Sequence, residues 1–292
     1  MMNKAILPIA GLGTRFLPLS KAVPKELLPL ADKPLVQYAI EEAKNSGVKE
    51  IIFVVRQDNK KALEYLKPSL KLEKELKEKK KEDILSELKI LEESLEGISF
   101  SYVLQKKPLG DGHAILQAAK YAKDEPVACM FSDDVFDAEE PVIQQLSNVF
   151  KTCQKPVIAL YPVSESKISC YGIAGVEKIA NKIYKIKRII EKPSLQEAPS
   201  NLSICGRYIL TPEIFSYLKK AKPTAKGEII LAEVISNQMI KEGKLIYGCE
   251  ISGNWLECGD KPKWMKSNIY FSLFHPKYGA EIRQFVKDLK IK

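Results

Sequence analysis

The stretch ILPIAGLGTRFLPLSKAVPKELLPL, from Ile6 to Leu30, decides how the rest of the chain is read. A short apolar run leaves through Gly11 and Gly13, and Arg15, Lys21 and Lys25 follow close behind. An apolar run that breaks into a glycine turn is how a buried strand ends at the rim of an α/β sheet, where backbone N–H groups can approach an anion or a base edge. The third glycine of a dinucleotide-binding turn is absent, with Phe16 in its place, and no Gly-Lys-Ser/Thr of a Walker loop follows. A tight structural turn beside a surface arginine would account for the glycines alone. Arg15, however, can grip phosphate oxygens through two donors, and Pro24 and Pro29 stiffen the backbone around Lys25, so that three cations share one loop and call for an anion.

Working outward, short apolar runs alternate with amphipathic stretches. Strands are expected at Lys4 to Ala10, Glu50 to Val55, Ser99 to Leu104, Val127 to Phe131 and Val157 to Tyr161, and helices near Leu35 to Asn45, His113 to Ala122 and Glu140 to Phe150. This alternation predicts a mostly parallel sheet covered on both faces, with chemistry at the strand ends. Between Leu70 and Leu95, Ile84, Leu88, Leu91 and Leu95 recur at helical spacing among charges, predicting an amphipathic helical insertion rather than a linker. YGIAGVEK and KIYKIKRIIEKP read as two strands joined at Ile179 to Asn181. Helices are expected at Thr211 to Lys219, Ile229 to Lys241, Lys261 to Ser272 and Ala280 to Lys290.

The bulk numbers narrow the function. The chain has 292 residues, 45% of them hydrophobic, enough for a sizeable core. Six cysteines without a CxxC pair and two histidines point away from zinc, disulfide frameworks and cysteine catalysis, and toward reduced structural thiols. Lysine and arginine number 46 against 37 aspartates and glutamates, a net charge of +9. A basic balance raises nucleic acid as a partner. The excess is concentrated in 178–192 and beyond Lys261, with no aromatic-interleaved basic motif, so small phosphorylated substrates account for it and no nucleic acid is expected. No apolar run approaches the roughly 20 residues of a membrane span, and the first residues carry no secretory apolar region, so no membrane is expected and the chain reads as cytoplasmic.

Three further motifs carry chemistry. VACMFSDDVFD runs an apolar strand straight into Asp133 and Asp134, where a hard cation such as Mg²⁺ can take one or two carboxylates plus substrate phosphate oxygens; an aspartate turn or cap is the alternative. VLQKKPLGDGHAI leaves a strand through Gln105, whose amide can read a pyrimidine edge, and reaches Gly110, against which a base can lie. His113, at a helix start, reads as a local hydrogen-bonding residue. RIIEKP ends a basic strand with Glu191, able to accept from sugar hydroxyls, and Lys192, able to neutralise a sugar phosphate.

In this order GLGTRFLPLSKAVPKELLPLADKPLVQYAIEEA, GDGHAI, SDD, YGI, EKP and PSNLSICGRYIL resemble the bacterial UTP:glucose-1-phosphate uridylyltransferase family over nearly the whole chain. With the patterning above, the resemblance implies a Rossmann-like α/β nucleotidyltransferase fold. It would be a single domain over 1–292 with a mixed, mostly parallel sheet flanked by helices, a sugar-side β region, a charged helical insertion at 68–96 and a C-terminal helical tail at 261–292. It further implies that Ala10, Gly11, Gly13 and Thr14, with Gln105 and Gly110, hold the nucleoside side of UTP. Arg15 and Lys25 would meet the triphosphate, Asp133 the magnesium, and Gly172, Glu191 and Lys192 the glucose 1-phosphate. Arg15, Lys25 and Lys192 become the catalytic cations, and a homodimer or homotetramer is implied.

Two segments depart from the family. Its usual Asp-Cys-Gly is here Glu257-Cys258-Gly259, so Glu257 as second metal ligand is left open, since Mg²⁺ tolerates misplacement poorly. GEIILAEV at 227–234 carries Ile230, Ala232 and Glu233 where the family has polar residues, so that sugar choice or turnover can differ. A nucleotidyltransferase using dTTP or another sugar, or a catalytically weakened nucleotide-binding relative, are the alternatives.

Overall fold

The apolar run before the glycine turn forms β1 (Lys4–Pro8), buried along most of its length. This computed structural model describes residues 2–57, 60–122 and 124–289. Lys290, the expected end of the last helix, and the final residues of the tail lie outside them. The remaining strands in chain order are β2 (Pro29–Leu30), β3 (Lys33–Pro34), β4 (Glu50–Val55), β5 (Ser99–Leu104), β6 (Val127–Met130), β7 (Asp134–Asp137), β8 (Val157–Pro162), β9 (Gly172–Ala180), β10 (Ile183–Glu191), β11 (Leu202–Leu210), β12 (Tyr247–Glu250) and β13 (Asn254–Glu257).

Nine of these strands form one sheet in the order β5-β4-β1-β6-β11-β8-β12-β10-β9. β5, β4, β1 and β6 run parallel, as the strand-helix alternation of the first half predicts. The other half corrects the expectation of a mostly parallel sheet. β11 is antiparallel to both β6 and β8, and β10 is antiparallel to β12 and β9; only β8 and β12 pair in parallel there. β9 returns to β11 through Ile173 and Ser203, closing these strands into a barrel-like ring, and antiparallel pairings predominate overall. The reason lies in β11 and β12, which the apolar pattern did not single out, and in the β9–β10 hairpin. Antiparallel neighbours need only short connections, so no intervening helix announces them.

Alternate residues along the parallel strands face opposite ways. Ile6, Ile52 and Val54 join one apolar cluster with Ala114, Ile115 and Ile214, while Ala5, Leu7, Ile51 and Phe53 join another with Ile40, Ile143 and Leu146. The helices Leu35–Asn45 and Val142–Cys153 therefore cover one face, and Asp111–Gln117 and Ile214–Lys220 the other. The stretch expected as one helix from 229 begins as Leu231–Val234 and continues with π-helical pairing over Ile235–Ile240. The charged insertion is the helix pair Leu70–Glu78 and Glu82–Leu95, in which Leu76 and Leu85 are buried while Ile84 and Ile90 face solvent.

Candidate active site

Four strand ends open on one cavity of about 850 Å³. The turn after β1 contributes Gly11, Gly13, Thr14 and Arg15; the end of β6 contributes Asp133; Glu191 and Lys192 come from the end of β10, and Gly172 from the start of β9. Lys25, Gly110 and Glu257 line it too, so that of the site residues the family resemblance implies only Ala10 and Gln105 are outside the lining. Arg15, Lys25 and Lys192 thus line a single pocket although they come from distant segments. Ala10 adjoins the lining residue Gly11 in the chain, and Gln105 is bonded to the lining residue Gly110. Both are buried, and Gln105 Nε2 donates to Gly110 O at 3.0 Å and meets His113 Nδ1 at 3.0 Å. Lys21, grouped with the other two cations by sequence, is exposed and outside the lining.

Lys25 lies across the glycine turn, its Cε 3.8 Å from where a side chain on Gly11 would begin, and its Nζ donates to Asp133 Oδ2 at 2.8 Å. Burial alone would push the Asp133 carboxyl up, yet the Lys25 ammonium, with Arg15 farther off, holds it below the ordinary carboxylate range. Burial would likewise lower Lys25, but Asp133 and Glu26 raise it. The neighbouring Asp134 behaves oppositely: burial and the charge of Asp133 push it up to about 7. Both carboxyls line the cavity; Asp134 Oδ1 accepts from Trp255 Nε1 at 2.7 Å, whereas Asp133 is paired with Lys25.

The residues expected on the sugar side are positioned by strand register. Gly172 stands opposite Glu191 in the β9–β10 ladder, and a Cβ on Gly172 would come within 2.8 Å of Glu191 Oε1. Burial, then the charge of Asp111, raises the Glu191 carboxyl. Lys192 turns out of the strand with φ 47, a left-handed conformation costly for a non-glycine residue, and its N–H donates to Tyr171 O at 2.9 Å. From the divergent 227–234 segment, Glu228 and Ile230 line the cavity, and Asp111 Oδ1 ties the segment down by accepting from Leu231 N at 2.9 Å.

The residues that hold this arrangement carry little signal in the sequence. Arg207 on β11 is fully buried; it donates to Phe131 O and Asp134 O, each at 2.7 Å, and pairs with Glu42 of helix Leu35–Asn45 at 2.8 Å. It clamps the turn that presents Asp133. Its only sequence signal was an arginine inside an apolar strand, a position that implies a buried partner.

Glu257 does reach the pocket. Its Oε1 accepts from Lys263 Nζ at 2.8 Å and its Oε2 from the Tyr171 hydroxyl at 2.5 Å. Glu257 Oε1 and Asp133 Oδ2 lie 3.1 and 3.8 Å from the point where a side chain on Gly259 would begin, so both carboxylates face one patch of the cavity. Among the described residues no group of three or more His, Cys, Asp or Glu is placed to hold a metal unaided. Two carboxylates suit a hard cation that arrives with phosphate oxygens as its other ligands.

Residues 4–269 match the Nucleotidyl transferase family. A relative, the UTP–glucose-1-phosphate uridylyltransferase of Staphylococcus haemolyticus (strain JCSC1435), is 39% identical over 288 residues, covering 99% of this chain and 98% of its own. Among solved structures, the UTP-bound UGPase from Acinetobacter baumannii superposes with a TM-score of 0.90 at 32% identity, over 99% of this chain and 100% of that one. A UDP-glucose pyrophosphorylase complexed with UDP-glucose gives a TM-score of 0.82 at 34% identity, over 93% of this chain and 98% of that one.

Proposed function

The chain belongs to the bacterial UTP–glucose-1-phosphate uridylyltransferase family, and from that membership and the pocket we infer that it transfers the uridylyl group of UTP to glucose 1-phosphate, giving UDP-glucose and pyrophosphate. The observation that carries the reading is the convergence of Arg15, Lys25 and Lys192 on one cavity beside Asp133.

A sugar 1-phosphate is largely dianionic at neutral pH, its second pKa being about 6, so its oxygen is already a nucleophile and no general base is needed. That oxygen attacks the α-phosphorus of UTP, the bond to the β-phosphate bridging oxygen breaks, and pyrophosphate leaves with the electron pair. The obstacle is repulsion between two anions that must meet in line. Arg15 and Lys25 are assigned to the triphosphate, and Lys192 to the sugar phosphate, with Glu191 and Gly172 against the hexose. Gly11, Gly13, Thr14 and Gly110 border the nucleoside, backed by Ala10 and Gln105. Asp133, with Glu257, would hold Mg²⁺, which when bound supplies positive charge between the phosphates. Fixed charges of this sort each contribute on the order of 2–4 kcal/mol to lowering the barrier.

Self-association as a homodimer or homotetramer belongs to the same proposal and is checked by the molar mass in solution. Among the described residues no helix is long and apolar enough to cross a membrane. The test of the reaction is pyrophosphate release from UTP, glucose 1-phosphate and Mg²⁺, with dTTP and other hexose 1-phosphates alongside. Release with UTP and glucose 1-phosphate is expected. UTP binding without any product would instead indicate a catalytically weakened relative, and faster release with dTTP or another sugar would move the assignment within the nucleotidyltransferases.

A further inference from the structure

We propose that Lys263 is a fourth phosphate-binding cation of the pocket, held on Glu257 in the free protein and released to the reactants' phosphates when a divalent cation takes that carboxylate. Lys263 lines the same cavity as Arg15 and Lys25. Its Nζ lies 2.8 Å from Glu257 Oε1 and 3.4 Å from Asp260 Oδ2, and 4.8 Å from the centroid of the Tyr171 ring. The pair repeats the geometry of Lys25 with Asp133, also at 2.8 Å.

The two pairs face each other across Gly259. Arg15 Nη1, Asp133 Oδ2 and Glu257 Oε1 all lie within 3.8 Å of the point where a side chain on Gly259 would begin. In the free protein each of these carboxylates is neutralised by one lysine. UTP and a sugar phosphate together add a large excess of negative charge, and a hard divalent cation draws carboxylate and phosphate oxygens to itself. Glu257 drawn to the metal leaves Lys263 with only its longer contact to Asp260, beside newly arrived phosphate, so Coulomb attraction moves the ammonium a short way across the pocket. Glu257, one methylene longer than the family's aspartate, lies within reach of Lys263 and Tyr171 together. On this account the longer carboxylate is no misplaced ligand but one half of a stored ion pair.

This inference rests on the nucleotidyl-transfer reading, and its test separates the two. Binding of Mn²⁺ to the nucleotide-free protein is followed by the electron paramagnetic resonance of the free ion, and binding of inorganic pyrophosphate in saturating Mg²⁺ by calorimetry, for the wild type, Lys263→Gln and Lys263→Arg. Removing the ammonium frees Glu257 Oε1, so Lys263→Gln is expected to bind Mn²⁺ about 3–10-fold tighter and pyrophosphate about 10-fold weaker, as loss of one charged hydrogen bond would give. Lys263→Arg is expected to restore pyrophosphate binding. Unchanged affinity of Lys263→Gln for either ligand would overturn the partner exchange while leaving an active wild type's assignment intact. A wild type that binds pyrophosphate but makes no product would sink the reaction instead. Lys263 is partly exposed, and matching thermal melts establish that the variants are folded.

Discussion

Glu26, next to the cavity-lining Lys25, is only 1% exposed, and its Oε1 has no hydrogen-bond partner among the described residues. Burial pushes its carboxyl up to about 7, against the pull of Lys25. A folded-state value above the unfolded one means that the folded protein holds this proton more tightly. The associated stability is therefore complete below about pH 4.5 and is lost as pH rises through about 7. Glu26→Gln removes that dependence: relative to wild type the variant is expected to gain on the order of 2–3 kcal/mol between pH 5 and pH 8, read from urea unfolding at the two values. Parallel unfolding curves for both proteins across that range would refute the assignment. Single residues were legible where a strand end announced them. Arg15, Asp133, Glu191 and Lys192 each follow an apolar run, and the structure brings them to one cavity. Glu26 and Arg207 were not legible, because their burial is decided by segments far away in sequence.

The turn between β6 and β7 carries Asp133, and its position depends on a second element, β11. Arg207 reaches from that strand to Phe131 O and Asp134 O, and Glu42 fixes the guanidinium from a helix on the sheet's face. Gly206 beside it has φ 63, and a Cβ there would stand 2.0 Å from Asp134 Oδ2, so the strand can pass this carboxylate only as glycine. Arg207→Met strands the Glu42 carboxylate and is expected to cost about 3–5 kcal/mol, whereas Glu42→Met with Arg207→Met recovers most of that loss. Turnover is expected to fall by about an order of magnitude or more in both, since the turn has lost its anchor in each. Urea denaturation beside initial rates checks this, and a double variant with wild-type turnover would show that the clamp serves stability alone. At this scale the parallel strands were readable from periodicity. β11 was not read: Gly206 and Arg207 interrupt its apolar pattern, and no preceding helix marks its antiparallel return.

Across the whole molecule, the parallel half supplies the glycine turn and Asp133, and the antiparallel ring supplies Gly172, Glu191 and Lys192, so the cavity exists only where the two halves of the sheet meet. The motif order in the sequence named both sides of that cavity without revealing the ring that brings them together, because a ring is a property of pairing, not of any one segment. The net charge of +9 becomes interpretable in the same way. Part of it lies on exposed residues of the β9–β10 hairpin, such as Lys178 and Arg188, and part on the few cations that line the pocket. The most direct measurement is the rate of pyrophosphate release by Lys25→Met and Lys192→Met, each assayed with UTP and glucose 1-phosphate beside an active wild type. Both are expected to lose about 30-fold to 1,000-fold in kcat, the equivalent of one fixed charge removed from the transition state. Full turnover in either variant would contradict the claim that these converging cations bring the two anions together.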